Sequence, residues 1–221
     1  MHAIGLLWQE RQSDSSLVES VWKSSALANM SRTVIADPCI SIALIETGTT
    51  MQVVVMGPKT QPYSVELAPG YVCTTIRLKP GVFFKGLSTQ RLANTSLIFP
   101  ANRVSQFWFK GKHLQFPSFD KAELLVDELY RQGCLEYEDP SNQKLSFRTY
   151  SRRTQRTTGL SPYQLYQLTR MHKALRLLKQ GISAADVAAE LAFVDQSHLI
   201  RASKRFLGHT PKHFPSLPQV P

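Results

Sequence analysis

The chain has 221 residues, 43% of them hydrophobic, and a formal net charge of +10. That length allows one large domain or two small ones, with enough apolar content to bury a core. No apolar run approaches the roughly 20 residues a membrane helix needs, and three cysteines without ligand spacing argue against a disulfide framework or a zinc site.

The first residues, Met1 to Trp8, lack a basic n-region and carry only a short apolar stretch, so they do not read as a signal peptide. Cys39, Cys73 and Cys134 read as buried, reduced thiols, and the expected setting is the cytoplasm. From about Arg32 to Phe109 the text is that of β-structure. Ile40–Ile45 and Met51–Met56 are rich in Ile, Val and Thr and are separated by a turn containing Gly48. Val72–Leu78 alternates between Pro69-Gly70 and Pro80-Gly81, both turn signals, and Val18–Trp22 suggests another strand. The expectation is an antiparallel sandwich or barrel-like domain over residues 1–117. Tyr71, Phe107, Trp108 and Phe109 either line an apolar pocket or fill the core of that domain.

The period then changes. Phe119–Tyr130 has apolar residues at helical spacing and acids in its first turns, and it ends near Gly133. Phe116–Ser118 is the expected boundary, which assigns residues 118–221 to an all-α second domain and makes the fold class α+β. The face of Leu124, Leu125 and Leu129 has to pack against its own β-domain or against a second copy of the chain. After a polar stretch at Leu135–Lys144, Ser146 caps a helix running through Thr157 and closed by Gly159. Ser161-Pro162 supplies an N-cap and an N1 proline for a long helix with Leu165, Leu168, Met171, Leu175 and Leu178 on one face. Ser183 caps a short helix, Asp195 caps another that runs to Phe206 or Leu207, and Thr210-Pro211 opens a final turn.

The helical part repeats itself. Arg152, Arg153 and Arg156 lead to Gly159 and Ser161-Pro162; Arg201, Lys204 and Arg205 lead to Gly208 and Thr210-Pro211, at a constant offset of 49 residues. The charge follows the repeat. Residues 1–140 hold 13 Lys/Arg and 13 Asp/Glu, whereas residues 141–221 hold 13 Lys/Arg against Asp186, Glu190 and Asp195. A basic helix built twice is suited to one polyanion met at two points, which implies double-stranded DNA as partner.

Between Ser183 and His198 the sequence reads as a helix, a tight turn and a second helix, with Val187, Ala188 and Leu191 as its apolar face. Residues 145–214 resemble the tandem helix-turn-helix domain of the AraC/XylS family of bacterial transcription regulators. The resemblance rests on Gly159 to Pro162, on Arg170, Ala174, Leu177 and Leu178, on Ala192 to His198, and on Gly208 to Pro211. Residues 18–85 are similar, more weakly, to a β-rich N-terminal domain of one branch of that family. The resemblance implies two recognition helices. Arg148, Ser151 and Arg152 in the first, and Gln196, Ser197, Ile200 and Arg201 in the second, fall where family members reach base edges. Arginine bridges guanine, glutamine bridges adenine, and an isoleucine meets a thymine methyl. Arg153, Arg156, Lys204 and Arg205 are expected at phosphates.

The chain departs from the family pattern at Ala192, where a glycine is usual, and at Thr154 and Ser203, where an aromatic is usual. The segment before Ser146 lacks the apolar face of a scaffold helix, so it packs unusually or leaves the first motif partly degenerate. The implied function is sequence-specific transcription regulation, with a small-molecule effector or a protein partner at the N-terminal domain and the homodimer as a possible assembly. The alternative is a protein-interaction adaptor with a degenerate DNA-binding domain. An enzyme would need a Cys or His cluster; His2 and His113 are far apart, so neither catalysis, a metal nor a cofactor is expected.

Overall fold

The computed structural model describes residues 5–139 and 146–210. Eight strands come first: β1 (Leu6–Gln12), β2 (Val18–Ala26), β3 (Met30–Val34), β4 (Ser41–Thr47), β5 (Thr50–Met56), β6 (Tyr63–Leu67), β7 (Val72–Leu78) and β8 (Val82–Phe84). A one-turn helix α1 (Thr89–Leu92) precedes β9 (Ser96–Ala101), β10 (Gln106–Phe109) and β11 (Lys112–Gln115). Then come α2 (Glu123–Arg131) and β12 (Leu135–Tyr137), and finally α3 (Phe147–Thr158), α4 (Pro162–Lys179), α5 (Ala184–Glu190) and α6 (Gln196–Leu207). An antiparallel, sheet-rich N-terminal part is thus followed by a helical C-terminal part.

Eight strands form one antiparallel sheet in the order β1-β2-β7-β4-β5-β9-β10-β11. The β4–β5 hairpin pairs Thr47 with Thr50 around Gly48, whose φ of 57° is the left-handed conformation that the turn requires. Because successive side chains on a strand point to opposite faces, the sheet has two distinct sides. Ile42 and Leu44, Val53 and Val55, and Ile76 and Leu78 fill a core on one side. Phe107 and Phe109 join that core, while Trp108 is exposed. The opposite side presents Trp22, Ser24, Cys73 and Thr75 beneath a separate two-stranded ribbon made of β3 and β6. All three cysteines are buried free thiols.

The sequence expectation places Phe119–Tyr130 with the helical half. In the structure that segment belongs to the packing of the sheet: Leu125, Val126 and Leu129 of α2 are buried in the β-rich core, and β12 pairs with β8. Leu124 points away and is 56% exposed. The apolar face of α2 is therefore covered within the chain, and no second copy is needed to bury it. Arg11 of β1 fastens the start of the helix through a double contact with Glu123, at 2.5 and 2.7 Å. Those hydrogen bonds from Arg11 hold the Glu123 carboxyl at about 2, far below the usual carboxylate range.

The helical half has its own core, built on Leu165, Leu168, Met171 and Leu175 of α4, Val187 and Ala188 of α5, and Leu199, Phe206 and Leu207 of α6. Ser161 and Gln164 form a reciprocal capping box at the start of α4, as the Ser-Pro signal leads one to expect. Two members of this core come from the other half. Ile35 and Ala36, in the link between β3 and β4, are buried among the helices.

Candidate nucleic-acid interface

Helix α6 begins where the Asp195 carboxylate accepts the His198 backbone N–H at 2.6 Å, and it ends at Gly208, whose φ is 75°. Its apolar positions recur at helical spacing: Leu199, Ala202, Phe206 and Leu207 all face inward. Gln196, Ser197, Arg201, Lys204 and Arg205 are consequently exposed, with Ile200 half-buried beside them. This is one continuous outward stripe carrying three cations, and it contains every second-helix residue expected from the sequence.

Helix α5 lies across α6 as the supporting member of the motif. Ser183 caps it by accepting the Asp186 N–H at 3.1 Å, and Val187 and Ala188 are buried against α6. The turn between them is set by Ala192, whose φ of 56° is the left-handed geometry expected at a position where glycine is usual. Arg170 of α4 supports it. Its guanidinium sits over the Phe193 ring and donates a long hydrogen bond of 3.4 Å to the Ala192 carbonyl. Val194, 86% exposed, then projects from the turn beside the outward stripe.

The missing aromatic in each copy is accommodated in different ways. Ser203 is fully buried and its hydroxyl donates to the Leu199 carbonyl at 2.8 Å. Thr154 is also fully buried, but its hydroxyl has no hydrogen-bond partner. Such a group costs on the order of 1–3 kcal/mol.

The first motif is built differently from the second. Helix α3 is capped by Ser146, which accepts the Thr149 N–H at 3.3 Å, and is closed by Gly159 at a φ of 73°. Arg148 and Arg152 are exposed and Ser151 is half-buried on this helix. The described residues before it, Leu135–Asp139, hold a strand and not a scaffold helix. The β-rich part supplies the support instead. The Thr89 hydroxyl of α1 donates to the Gln155 carbonyl at 3.1 Å and also to that of Arg156. A Cβ on Gly159 would lie 2.4 Å from the Thr89 carbonyl oxygen, so only glycine fits this approach.

Arg153 and Arg156, expected at phosphates, converge on Glu138. The Arg153 Nε lies 2.8 Å from one carboxylate oxygen, though poorly aimed for a hydrogen bond, and Arg156 contacts the other. Glu138 thus neutralises part of the charge of the first recognition helix.

A second seam joins the two halves. The Ala36 N–H donates to the Phe206 carbonyl of α6 at 2.9 Å, and the Ala36 carbonyl lies 2.7 Å from His172 Nε2 of α4. Asp37 follows and receives a bidentate contact from Arg77, at 2.8 and 2.9 Å. Burial pushes the Asp37 carboxyl up, but the Arg77 charge and its hydrogen bonds outweigh this and hold it below its ordinary value. Burial, followed by the Arg77 charge, drives the His172 imidazole below its ordinary value, so it is neutral at pH 7 and donates to Ala36. A lone histidine on a helix and an Ile-Ala pair after a strand carry no motif, which is why sequence reasoning passed over this seam.

Among the described residues there is no group of three or more His, Cys, Asp or Glu able to hold a metal ion, and no helix long and apolar enough to cross a membrane. A comparison with curated proteins finds no match. Among solved structures, apo ToxT K231A from Vibrio cholerae strain SCE256 is similar at 10% identity, with a TM-score of 0.43, over 96% of this chain and 97% of that one. Unsaturated fatty acid-bound wild-type ToxT from the same strain is similar at 11% identity, with a TM-score of 0.42, over 98% of this chain and 97% of that one. Residues 143–216 match the family described as a helix-turn-helix domain. With its capped helices, left-handed turn and outward basic stripe, this C-terminal part of the chain belongs to the AraC-type helix-turn-helix domains.

Proposed function

We propose that the chain is a cytoplasmic, sequence-specific DNA-binding transcription regulator whose β-rich part senses a ligand or a partner. The observation that carries this reading is the α6 stripe, presented outward by a complete helix-turn-helix with capped ends. Gln196, Ser197, Ile200 and Arg201 meet base edges in the major groove, and Lys204 and Arg205 meet phosphates. In the first copy, Arg148, Ser151 and Arg152 are the base readers. Arg153 and Arg156 reach phosphate only in exchange for Glu138. Sensing is supported by the Ile35–Ala36 seam, through which one link of the β-rich part is buried among the recognition helices. The neutral charge balance of residues 1–140 gives that half no electrostatic attraction to DNA.

Selecting duplexes from a random pool with the full chain, followed by footprinting, tests this reading. The expected result is an enriched sequence protected at two major-groove segments about one helical turn (~34 Å) apart on one face. A pool that returns no enriched sequence would overturn it in favour of the interaction adaptor.

A further inference from the structure

Three arginines of the β-rich part are wholly or largely withdrawn from solvent, and two of them have carboxylates. Arg77 is matched by Asp37 and Arg11 by Glu123. Arg32 of β3 has none. Its guanidinium lies 4.5 Å from the centre of the Trp8 ring, and its Nε is buried without a hydrogen-bond partner. The titratable groups facing it are Tyr63, Tyr71 and Cys73, all neutral at pH 7. Burial alone pushes the Arg32 guanidinium below its ordinary value. A buried cation without a counter-charge costs several kcal/mol, and natural interiors pair such groups or bring an anion to them.

Arg32 forms part of the wall of a cavity between the eight-stranded sheet and the β3–β6 ribbon. The cavity measures about 180 Å³ and is lined mainly by apolar and aromatic side chains, among them Trp22, Tyr63, Val65, Leu67 and Tyr71. Lys59 reaches the same space, and the one carboxylate on the wall, Asp37, is committed to Arg77. A cavity of roughly 150 Å³ takes up benzene, so this one has room for a ring or a short chain with a small head group. Guanidinium is the side chain whose fork matches a carboxylate with two parallel hydrogen bonds.

We propose that this cavity is a binding site for a small, mainly apolar monocarboxylate, whose carboxylate is the counter-charge that Arg32 lacks. A single negative charge fits the single unmatched guanidinium, and the apolar walls disfavour a polar dianion such as inorganic phosphate. The proposal rests on the sensing role given above and specifies its ligand. Val34, Ile35 and Asp37 line the same cavity, and Ile35 continues into the core of the helical half. Filling the cavity therefore bears directly on the link that α6 rests against.

The test is calorimetric titration of the full chain with trans-cinnamate, octanoate, cinnamyl alcohol and inorganic phosphate, with tryptophan fluorescence as a second readout. At least one of the two carboxylates should bind. If trans-cinnamate is the one that fits, cinnamyl alcohol should bind about tenfold to a hundredfold more weakly, the range for losing a hydrogen-bonded charge. Arg32→Met should remove that preference and leave the affinity for the alcohol unchanged. A thermal melt confirms that the variant folds, as expected when an unmatched charge leaves the interior. Failure of both carboxylates to bind, equal binding of acid and alcohol by the unsubstituted chain, or a preference that survives Arg32→Met would each overturn the proposal. Fluorescence anisotropy with a duplex is run on the same samples. DNA binding without carboxylate binding sinks this proposal alone, whereas loss of DNA binding strikes the regulator reading.

Discussion

The Arg170 guanidinium lies 3.9 Å from the centre of the Phe193 ring and also reaches the carbonyl of Ala192, the one non-glycine residue of the helical half described with positive φ. One side chain from the linking helix therefore braces the turn that aims α6. Alanine in the left-handed region is strained by roughly 1 kcal/mol. Ala192→Gly should raise stability by about 0.5–1 kcal/mol in urea unfolding, because relief of strain outweighs the added freedom of the unfolded chain. Arg170→Met should lower it by about 1–2 kcal/mol. An Ala192→Gly variant less stable than the parent would show that the turn is not strained.

Arg201→Ala should lose roughly 1–3 kcal/mol on a selected site and relax base choice at one position, because arginine at a base edge carries sequence information. Lys204→Ala should weaken all duplexes alike and reduce the salt slope by about one unit. Titrations of both variants at several salt concentrations against cognate and random DNA separate these roles. Equal losses on both duplexes for Arg201→Ala would remove it from the base readers.

Glu138→Gln should release the charge of Arg153 and Arg156. Nonspecific duplex affinity should rise, with a salt slope steeper by about one unit for each phosphate gained. Stability should fall by less than about 1 kcal/mol, since Arg156 is largely solvated. An unchanged slope would mean that neither arginine reaches phosphate.

His172 gives the inter-half seam a pH dependence with a definite sign. Its folded pKa is depressed below the ordinary histidine value, so the unfolded chain binds the extra proton more readily. The associated stability is present above about pH 6.5 and is lost as pH falls below it. Arg77 and Arg176 oppose protonation here and Asp37 favours it, with burial the largest effect. The melting temperature should fall between pH 7.5 and 5.5 by more in the parent than in His172→Gln. Identical pH profiles would show that the imidazole does not govern the seam.

The helical half was legible in the sequence because its signals are local. Ser146, Ser161, Ser183 and Asp195 cap helices within three residues of themselves, and Gly159 and Gly208 end them by a backbone conformation. The strands at Ile40–Ile45, Met51–Met56 and Val72–Leu78 declared themselves by β-branched content and flanking turns. What escaped notice depends on distant partners. An amphipathic pattern shows that α2 has a face but not what covers it, so Leu125 and Leu129 gave no hint that they close the β-rich core. The short β12 strand is polar and finds its place only through β8, 51 to 55 residues earlier in register pairs such as Glu136 with Phe83 and Tyr137 with Val82. Arg32 looks like any strand-edge cation until the ribbon lays it over Trp8.

The footing of α3 on Thr89 and Glu138 bears on how this protein can be taken apart or recombined. A chimaera joining residues 146–210 to a foreign sensor would keep α6 with its own brace at Arg170. It would strip α3 of the contact at Gly159 and of the carboxylate that holds two of its arginines. Such a hybrid would own one trustworthy reading head and one without a mount, and its DNA site would shrink towards a single half. The first reading head is property of the whole chain, so swaps that respect this architecture must move residues 83–139 together with the helices.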